Sequence, residues 1–235
     1  MFWTRKSRPP LTTSQRLDIE LLLRRTIEVV GRAHIRDSEF LLQLDRLALD
    51  ESSSESLSHS ALEAARSRLP LTSRLVVVST RLEKELGYPS VYRSATDDKP
   101  AEIVLATETL SDRLRTLMEV SYQYSRHYWE GVPNRRPLDT DPRTTNLLPL
   151  CSGMGLLASD ACLYDKQWSQ AGYTGWSISR SGYYNATEIG YALALVCRLR
   201  GDANPAWESE LRPDSRETFR QARSYFQSHE ASGQR

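Results

Sequence analysis

Apolar residues recur at helical spacing in several stretches of the chain, and this pattern predicts its helices. The first predicted helix runs from Thr13 to Val30, with a capping box formed by Thr12 and Gln15 and a C-terminal stop at Gly31. Further helices are predicted at residues 61–69, 111–129, 147–162 and 186–200, and from residue 214 onward.

Three of these helices carry further sequence signals. Ser111 is a favourable N-cap for the helix at residues 111–129, and Asn185 with Glu188 forms a capping box before the helix at residues 186–200. That last helix is apolar on nearly all sides, so we expect it to be buried. Small residues in the 147–162 stretch predict close packing against another helix.

Short runs of β-branched and apolar residues predict strands at residues 74–80, 92–94 and 102–107. Because these strands lie in the first half of the chain and the buried helices in the second, the pattern favours an α+β fold. We expect a small N-terminal sheet followed by a buried helical C-terminal half.

A Ser-rich, acidic stretch at residues 50–60 predicts a mobile connection. It indicates two regions: an N-terminal helical region with a Ser-rich linker, residues 1–73, and a core, residues 74–230.

The net charge of the chain bears on which classes of partner it can attract. The 235 residues carry a net charge of +1, so no strong field attracts nucleic acid or an acidic membrane. The longest apolar stretch, residues 189–197, is too short to span a bilayer, and the basic and aromatic residues 1–10 lack the apolar core of a signal peptide. We therefore expect a cytoplasmic protein that binds no nucleic acid and has no transmembrane segment.

The three cysteines predict no disulfide framework. On one continuous helix Cys151 and Cys162 would lie about 16 Å apart, which is too far for a bond. Cys197 falls inside an apolar helix. Since free cysteines are commonly buried, we expect all three to be core residues.

The predicted helix at residues 111–129 contains the sequence Met118-Glu119-Val120-Ser121-Tyr122, preceded by a strand. After a loop come the segment Thr145-Asn146-Leu147-Leu148 with Ser152-Gly153-Met154-Gly155, then Gly182-Tyr183-Tyr184, then Gly190-Tyr191-Ala192-Leu193-Ala194 and the turn Arg200-Gly201-Asp202. This order of segments, over residues 74–226, resembles a family of uncharacterised bacterial zincin-like proteins of the HExxH zinc-hydrolase type. Those proteins carry a His-Glu-Leu-x-His helix, a Glu-x-x-Thr-Asp-Leu-Leu segment and a Gly-Leu-Gly helix.

The resemblance implies a metal site that has lost its ligands. Met118 and Tyr122 fall at the two histidine positions, and Glu119 falls at the general base. The third ligand falls near Pro142, and the family's aspartate falls on Asn146. Zinc needs three protein ligands, and a thioether and a phenol replace imidazole poorly. We therefore expect no zinc and no other cofactor.

Other side chains could contribute to such a site. His127 is predicted on the opposite face of the helix from Met118, so it would not restore zinc binding. Asp139 and Asp141 could approach from the loop at residues 134–143, although carboxylates alone suit calcium or magnesium better. Glu119 itself has three interpretations: a relic, a hydrogen-bond partner of buried tyrosines, or an acid/base residue in metal-free chemistry.

Two further patterns have both chemical and structural interpretations. Ser152 to Gly155 resembles a nucleophile or phosphate loop but lacks the Gly-x-Ser-x-Gly elbow and the Walker lysine, so helix packing explains its glycines better. Cys151 and His127 could form a thiol–imidazole pair, although nothing in the sequence places them together.

The stretch at residues 172–184 is rich in aromatic residues, Ser and Gly. Trp176, Arg180, Tyr183 and Tyr184 form a candidate contact surface, because such residues are frequent interface anchors. The alternative is a loop packed over the helices.

Three functional hypotheses follow. The first is a non-catalytic zincin-like pseudoenzyme that binds a protein partner or assembles, with Met118 and Tyr122 filling the former cleft. The second is a metal-independent or residual hydrolase with Glu119 as acid/base, assisted by Tyr122 or His127, which requires a solvent-reachable Glu119. The third is an interaction module that joins copies of itself or a partner through its helical surface.

Overall fold

The computed structural model describes residues 9–170 and 173–233, with side chains described for residues 9–163 and 181–229. The helices are α1 (Thr13–Val30), α2 (Arg32–Asp37), α3 (Ser54–Arg68), α4 (Glu83–Leu86), α5 (Arg113–Glu130), α6 (Pro142–Pro149), α7 (Gly155–Ala161), α8 (Ala186–Arg200) and α9 (Pro213–Gly233). The strands are β1 (Val76–Arg81), β2 (Ser90–Arg93), β3 (Ala101–Ala106), β4 (Leu163–Gln170) and β5 (Tyr173–Arg180).

Both predicted capping boxes form. The Thr12 hydroxyl accepts from the backbone N–H of Gln15, and the Gln15 side chain accepts from the backbone N–H of Thr12. Asn185 and Glu188 make the same reciprocal pair at the start of α8. Each box satisfies N–H groups that have no partner inside the helix, and this fixes where the helix begins.

The three predicted strands form one mixed sheet in the order β1-β3-β2. β1 runs parallel to β3, and β2 runs antiparallel to it. Val76, Ile103 and Tyr92 are buried on the face against which α3 and α5 pack. The α+β class is confirmed.

Two helix starts differ from prediction. α3 begins inside the stretch at residues 50–60, which was predicted to be a mobile connection, because the Ser53 hydroxyl caps it by accepting from the backbone N–H of Ser56. α5 begins at Arg113 and is capped by Asp112 rather than by Ser111. The Asp112 carboxylate accepts from the N–H of Arg115, whereas the Ser111 hydroxyl donates to the carbonyl of Glu108.

The helix predicted at residues 147–162 is interrupted. α6 begins within the predicted loop, and a π-helical turn at Leu150–Met154 separates it from α7. Gly153 has a φ of +86° there, and its carbonyl accepts from the backbone N–H of Leu41 at 2.8 Å. Cys151 and Cys162 therefore do not share one straight helix.

The antiparallel hairpin of β4 and β5, which is paired from Leu163↔Arg180 to Gln170↔Tyr173, also departs from the prediction. Part of the stretch at residues 172–184, for which a packed loop had been considered, is thus a strand. Thr, Tyr, Trp and Ile in β5 are residue types that favour strands. The C-terminal half is consequently not purely helical.

One continuous hydrophobic core extends from Leu11 to Phe226. α1 packs against α6 and α8, so the N-terminal helices share this core, while the predicted boundary at residue 73 stays a prediction. As predicted, Cys151, Cys162 and Cys197 are buried, and none of them forms a disulfide with another described residue. Burial raises the pKa of the Cys151 and Cys197 thiols to about 12.

Within residues 9–170 and 173–233, no helix has both the length and the apolar character that crossing a bilayer requires.

Candidate functional site

Helix α5 carries Glu119 between the sheet and α6. Strand β3 leads into α5 through a short 3₁₀ turn, and α5 packs against β2, β3, α3 and α6. Because elements surround the helix on several sides, most of its residues are buried, and Glu119 is only 6% exposed. A buried carboxylate must find hydrogen-bond donors or lose its charge.

Two serine hydroxyls bind the Glu119 carboxylate. Ser90 on β2 donates to Oε2 at 2.6 Å, and Ser181, just after β5, donates to Oε1 at 2.6 Å. The side-chain amide of Gln123, one turn further along α5, donates to the Ser90 oxygen at 2.8 Å. Such short hydrogen bonds to an ionised group are stronger than neutral ones. The carboxylate therefore ties β2, α5 and the segment after β5 together.

The turn after β5 brings other predicted site residues beside Glu119. Gly182 has a φ of +76°, and a Cβ at this position would lie 2.6 Å from Asn146 Oδ1 and 3.0 Å from the Tyr122 ring. The backbone N–H of Tyr183 donates to Asn146 Oδ1 at 2.9 Å. Glu119, Tyr122 and Asn146 thus meet around one tight turn that only glycine accommodates.

The two positions that the resemblance assigns to histidines are filled by core side chains. Met118 is completely buried, and Tyr122 is nearly so. Burial, together with the nearby Glu119 charge, raises the pKa of the Tyr122 hydroxyl, so this phenol stays protonated. Pro142 is exposed in the first turn of α6.

The described residues contain no group of three or more His, Cys, Asp or Glu side chains placed to hold a metal ion. Asp139 binds Arg25 through both carboxylate oxygens, at 2.7 Å each. Asp141 caps α6 by accepting from the N–H of Arg143 at 2.8 Å. The described contacts of both loop aspartates are thus with other partners and not with Glu119.

His127 makes two contacts of its own, away from Glu119. Its Nδ1 lies 2.9 Å from the Tyr92 hydroxyl, and its Nε2 lies 3.0 Å from the Arg74 carbonyl. Burial lowers the pKa of the imidazole. Eight residues separate it from Glu119, which is about 12 Å along the helix axis at roughly 1.5 Å per residue. With both ring nitrogens engaged, His127 also makes no pair with Cys151.

The Ser152 hydroxyl lies in the π turn, where it is 2.9 Å from Nε2 of His34. Burial lowers the pKa of His34, as a general base would require. However, no side chain within residues 9–163 and 181–229 hydrogen-bonds the other ring nitrogen of His34, and Ser152 itself is buried. The pair lacks the orienting partner of a nucleophile–base system and is best explained as a contact that joins α2 to the turn.

Part of the candidate contact surface is buried. Tyr184 packs in the core with the Arg143 guanidinium over its ring at 5.1 Å, so it is not a contact residue. Tyr183 is 58% exposed and remains available. Trp176 and Arg180 lie outside the residues whose side chains are described.

Ser90, Gln123 and Ser181 were not found by sequence reasoning. Ser90 is separated from Glu119 by 29 residues and Ser181 by 62. Serine is common in loops and strand ends, so the sequence holds no local signal that would select these two.

Comparison with known proteins adds no further assignment to this geometry. No family of known proteins, no curated protein and no solved structure matches the chain.

Proposed function

We propose that the chain is a non-catalytic, zincin-like protein that acts by binding a protein partner or by building an assembly. The observation that carries this proposal is the burial and hydrogen bonding of the Glu119 side chain. Both of its carboxylate oxygens accept short hydrogen bonds from serine hydroxyls, and the residue is 6% exposed. A general base must be within reach of the water that it activates, and the Glu119 side chain is almost completely closed off from solvent.

The neighbouring positions support the same proposal. Where the resemblance requires two imidazoles, Met118 and Tyr122 contribute side chains to the core. A thioether and a protonated phenol supply no strong ligand for zinc. The carboxylate then serves to hold three elements together, which is a structural role.

The alternative is a metal-independent hydrolase with Glu119 as acid/base. It requires a solvent-reachable carboxylate, and the burial of Glu119 disfavours it. Tyr122 carries its proton in the core, and His127 points to other partners. We therefore favour the binding protein.

Metal content provides the first test. Purified full-length chain, dialysed and analysed by elemental mass spectrometry, is expected to contain zinc at far less than one atom per chain. The reason is that the described residues near Glu119 offer a single carboxylate, which is already hydrogen-bonded. A stoichiometric zinc atom that survives dialysis would overturn the proposal.

Replacement of Glu119 by glutamine provides the second test. A carboxamide oxygen can accept from one serine hydroxyl, but its NH₂ group cannot accept from the other, so we expect a loss of about 1–3 kcal/mol in the free energy of unfolding. Hydrolysis of peptide and ester substrates is expected to equal the background rate in wild type and in Glu119→Gln.

Glu85→Gln is the control for this replacement, because Glu85 is exposed and its variant should unfold like wild type. Substrate hydrolysis by the wild type that disappears in a folded Glu119→Gln variant would establish the alternative instead.

A further inference from the structure

A row of polar groups connects β2 with the C-terminal end of α5. The Tyr92 hydroxyl on β2 lies 2.9 Å from Nδ1 of His127 and 3.1 Å from Oε2 of Glu130, both on α5. Nε2 of His127 lies 3.0 Å from the Arg74 carbonyl, and the Ser94 hydroxyl donates to Oε1 of Glu130 at 2.8 Å. His127 and Tyr92 are buried, whereas Glu130 is half-buried.

The Arg74 carbonyl determines which nitrogen of the neutral ring carries the proton. A carbonyl oxygen can only accept a hydrogen bond, so Nε2 of His127 must be protonated in order to bind it. A neutral imidazole has one ring proton, and its other nitrogen is then an acceptor. Nδ1 therefore accepts from the Tyr92 hydroxyl, which lies at hydrogen-bond distance.

The Tyr92 hydroxyl has one proton but two acceptors. Burial, together with the Glu130 charge, raises the pKa of this phenol, so it keeps its proton in the acid and neutral range. While that proton is donated to Nδ1 of His127, no hydrogen lies between the Tyr92 oxygen and Oε2 of Glu130, which are 3.1 Å apart. With a neutral ring, the row is thus one proton short of a hydrogen bond at every contact.

One added proton on Nδ1 of His127 completes the row. An imidazolium donates from both ring nitrogens, so Nε2 still binds the Arg74 carbonyl while Nδ1 donates to the Tyr92 oxygen. The Tyr92 hydroxyl can then direct its own proton to Oε2 of Glu130. The charged ring is thereby linked to a carboxylate through hydrogen bonds that involve ionised groups, which are stronger than neutral ones.

Charged and titratable groups surround this row on three elements. They are Glu63 and Arg66 on α3, Arg74 before β1, and Tyr124, Arg126 and Glu130 on α5. Burial is the main cause that lowers the pKa of His127, and the charges of Arg74 and Arg66 lower it further. The hydrogen bond to the Arg74 carbonyl and the charge of Glu130 raise this pKa. Glu130 is thus the carboxylate that offsets burial, and Tyr92 connects it to the ring.

We propose that Glu130, Tyr92 and His127 form a proton relay, through which the buried imidazole gains a proton in acid while the chain stays folded. The proton enters at the half-buried Glu130. Glu130 passes it to the Tyr92 oxygen as Tyr92 gives its own proton to Nδ1. His127 gains one proton, Glu130 returns to a carboxylate, and Tyr92 now donates to Glu130. Acidification thus reverses the hydrogen bond between His127 and Tyr92 without separating β2 from α5.

Without such a relay, a buried imidazole weakens the fold in acid. The unfolded chain binds a proton at His127 near the ordinary pKa of 6.5, whereas a folded chain with a lowered pKa does not. The folding equilibrium constant then falls about tenfold for each pH unit below that value, or roughly 30-fold at about pH 5. The relay reduces this loss, because the folded chain can bind the proton as well.

Nitrogen NMR of the histidine side chains in the full-length wild type tests the relay directly. His127 is identified by through-space contacts to the Tyr92 ring, whose centroid lies 5.7 Å away. At about pH 7.5 the ring is expected to carry its proton on Nε2, and in acid both nitrogens are expected to be protonated while the chain stays folded. A proton on Nδ1 at the higher pH would overturn the proposal, as would unfolding before the ring becomes charged.

Tyr92→Phe removes the relay hydroxyl and keeps the buried ring. Between about pH 7.5 and about pH 5, its folding equilibrium constant, measured by urea unfolding, is expected to fall about fivefold or more beyond the fall of wild type. Tyr88→Phe is the control, because Tyr88 is exposed and its variant should follow wild type. The other histidines titrate in all three proteins, so their contribution cancels. Equal losses in wild type and Tyr92→Phe would contradict the relay.

Glu130→Gln tests the carboxylate end of the relay. Its amide can still contact the Tyr92 hydroxyl, but it can neither take up a proton nor offset the charge of an imidazolium. We expect the acid loss of this variant to exceed that of wild type, and its His127 ring to become charged only at a lower pH than in wild type. Glu85→Gln, at an exposed position, is the control for the lost charge.

The outcomes separate the relay from a purely structural contact. If the row only holds β2 against α5, Tyr92→Phe and Glu130→Gln lower stability by the same factor at every pH, and the relay is refuted. If the relay operates, the additional loss appears only in acid and the NMR titration of His127 moves with it. Neither readout involves zinc or a partner, so failure of the relay leaves the proposed binding function untouched, and the reverse also holds.

Discussion

Replacing Gly153 by alanine is expected to lower the free energy of unfolding by about 3 kcal/mol or more. Gly153 has a φ of +86°, which an L-residue adopts only with strain. A Cβ would also overlap the backbone carbonyl of Glu39. The backbone at Glu39 cannot move away easily, because the N–H of Leu41, two residues further along, donates to the Gly153 carbonyl. Strain and overpacking thus act together at one position.

Urea unfolding followed by circular dichroism measures this effect. Gly87→Ala is the matched control, because Gly87 has a φ of +71° but nothing lies within 4 Å of an added Cβ. The control should lose only the cost of the positive φ, about 1 kcal/mol. If both variants lose the same amount, the contact between the π turn and residues 39–41 does not constrain the fold.

Replacing Asp139 by alanine is expected to cost about 3–5 kcal/mol. Its side chain is fully buried and binds Arg25 Nε and Nη2 at 2.7 Å each, and it also accepts from the backbone N–H of Arg136 at 2.8 Å. The variant leaves a buried guanidinium with only its weaker contact to Glu28 at 3.3 Å. This pair joins α1 to the loop before α6, so its loss should loosen the N-terminal helices.

A double variant separates pairing from burial. Arg25→Met with Asp139→Leu should recover most of the stability that Asp139→Ala loses, since apolar residues remove the uncompensated charge. Asp37→Ala, which breaks the exposed pair with Arg36, should leave the urea midpoint unchanged. A double variant as unstable as Asp139→Ala would mean that the contact to the Arg136 backbone matters more than the ion pair.

The same pair makes stability depend on pH in the acid range. Hydrogen bonds from Arg25, with a smaller contribution from the Arg136 backbone, lower the pKa of the Asp139 carboxyl below its usual 3.8. A depressed native pKa adds stability above the unfolded-state value, and this stability is lost as the pH falls through the lower native value. The free energy of unfolding of wild type should therefore fall as the pH drops below 3.8, because Asp139 becomes protonated. Acid unfolding curves of Asp139→Ala should not show this contribution.

Local features of this fold could be predicted from sequence where the cause was local. The capping boxes at Thr12 and Asn185 form because each residue and its partner are three positions apart. The three strands of the mixed sheet were found from short runs of β-branched and apolar residues, whereas the hairpin of β4 and β5 was not. The start of α5 was displaced because Asp112 and Ser111 compete for the same role, and the carboxylate caps the helix.

Features that depend on distant residues were missed for a physical reason. The interruption at Gly153 exists because residues 39–41 pack against it, and the 147–162 stretch alone reads as one helix. Glu119 was found as a candidate, but its hydroxyl partners lie 29 and 62 residues away. Its chemical role was open at the sequence level, because the pKa and reactivity of a carboxylate depend on neighbours that only the folded chain brings together. The zincin-like resemblance stays a prediction.

The three buried thiols have a practical consequence. Cys151 lies in the π turn, Cys162 at the end of α7 and Cys197 near the end of α8, so they sample different parts of the core. A thiol-directed reagent can modify them only after local or global opening. The rate at which each becomes labelled would measure how readily its own region opens, and the native chain thus carries its own set of kinetic reporters.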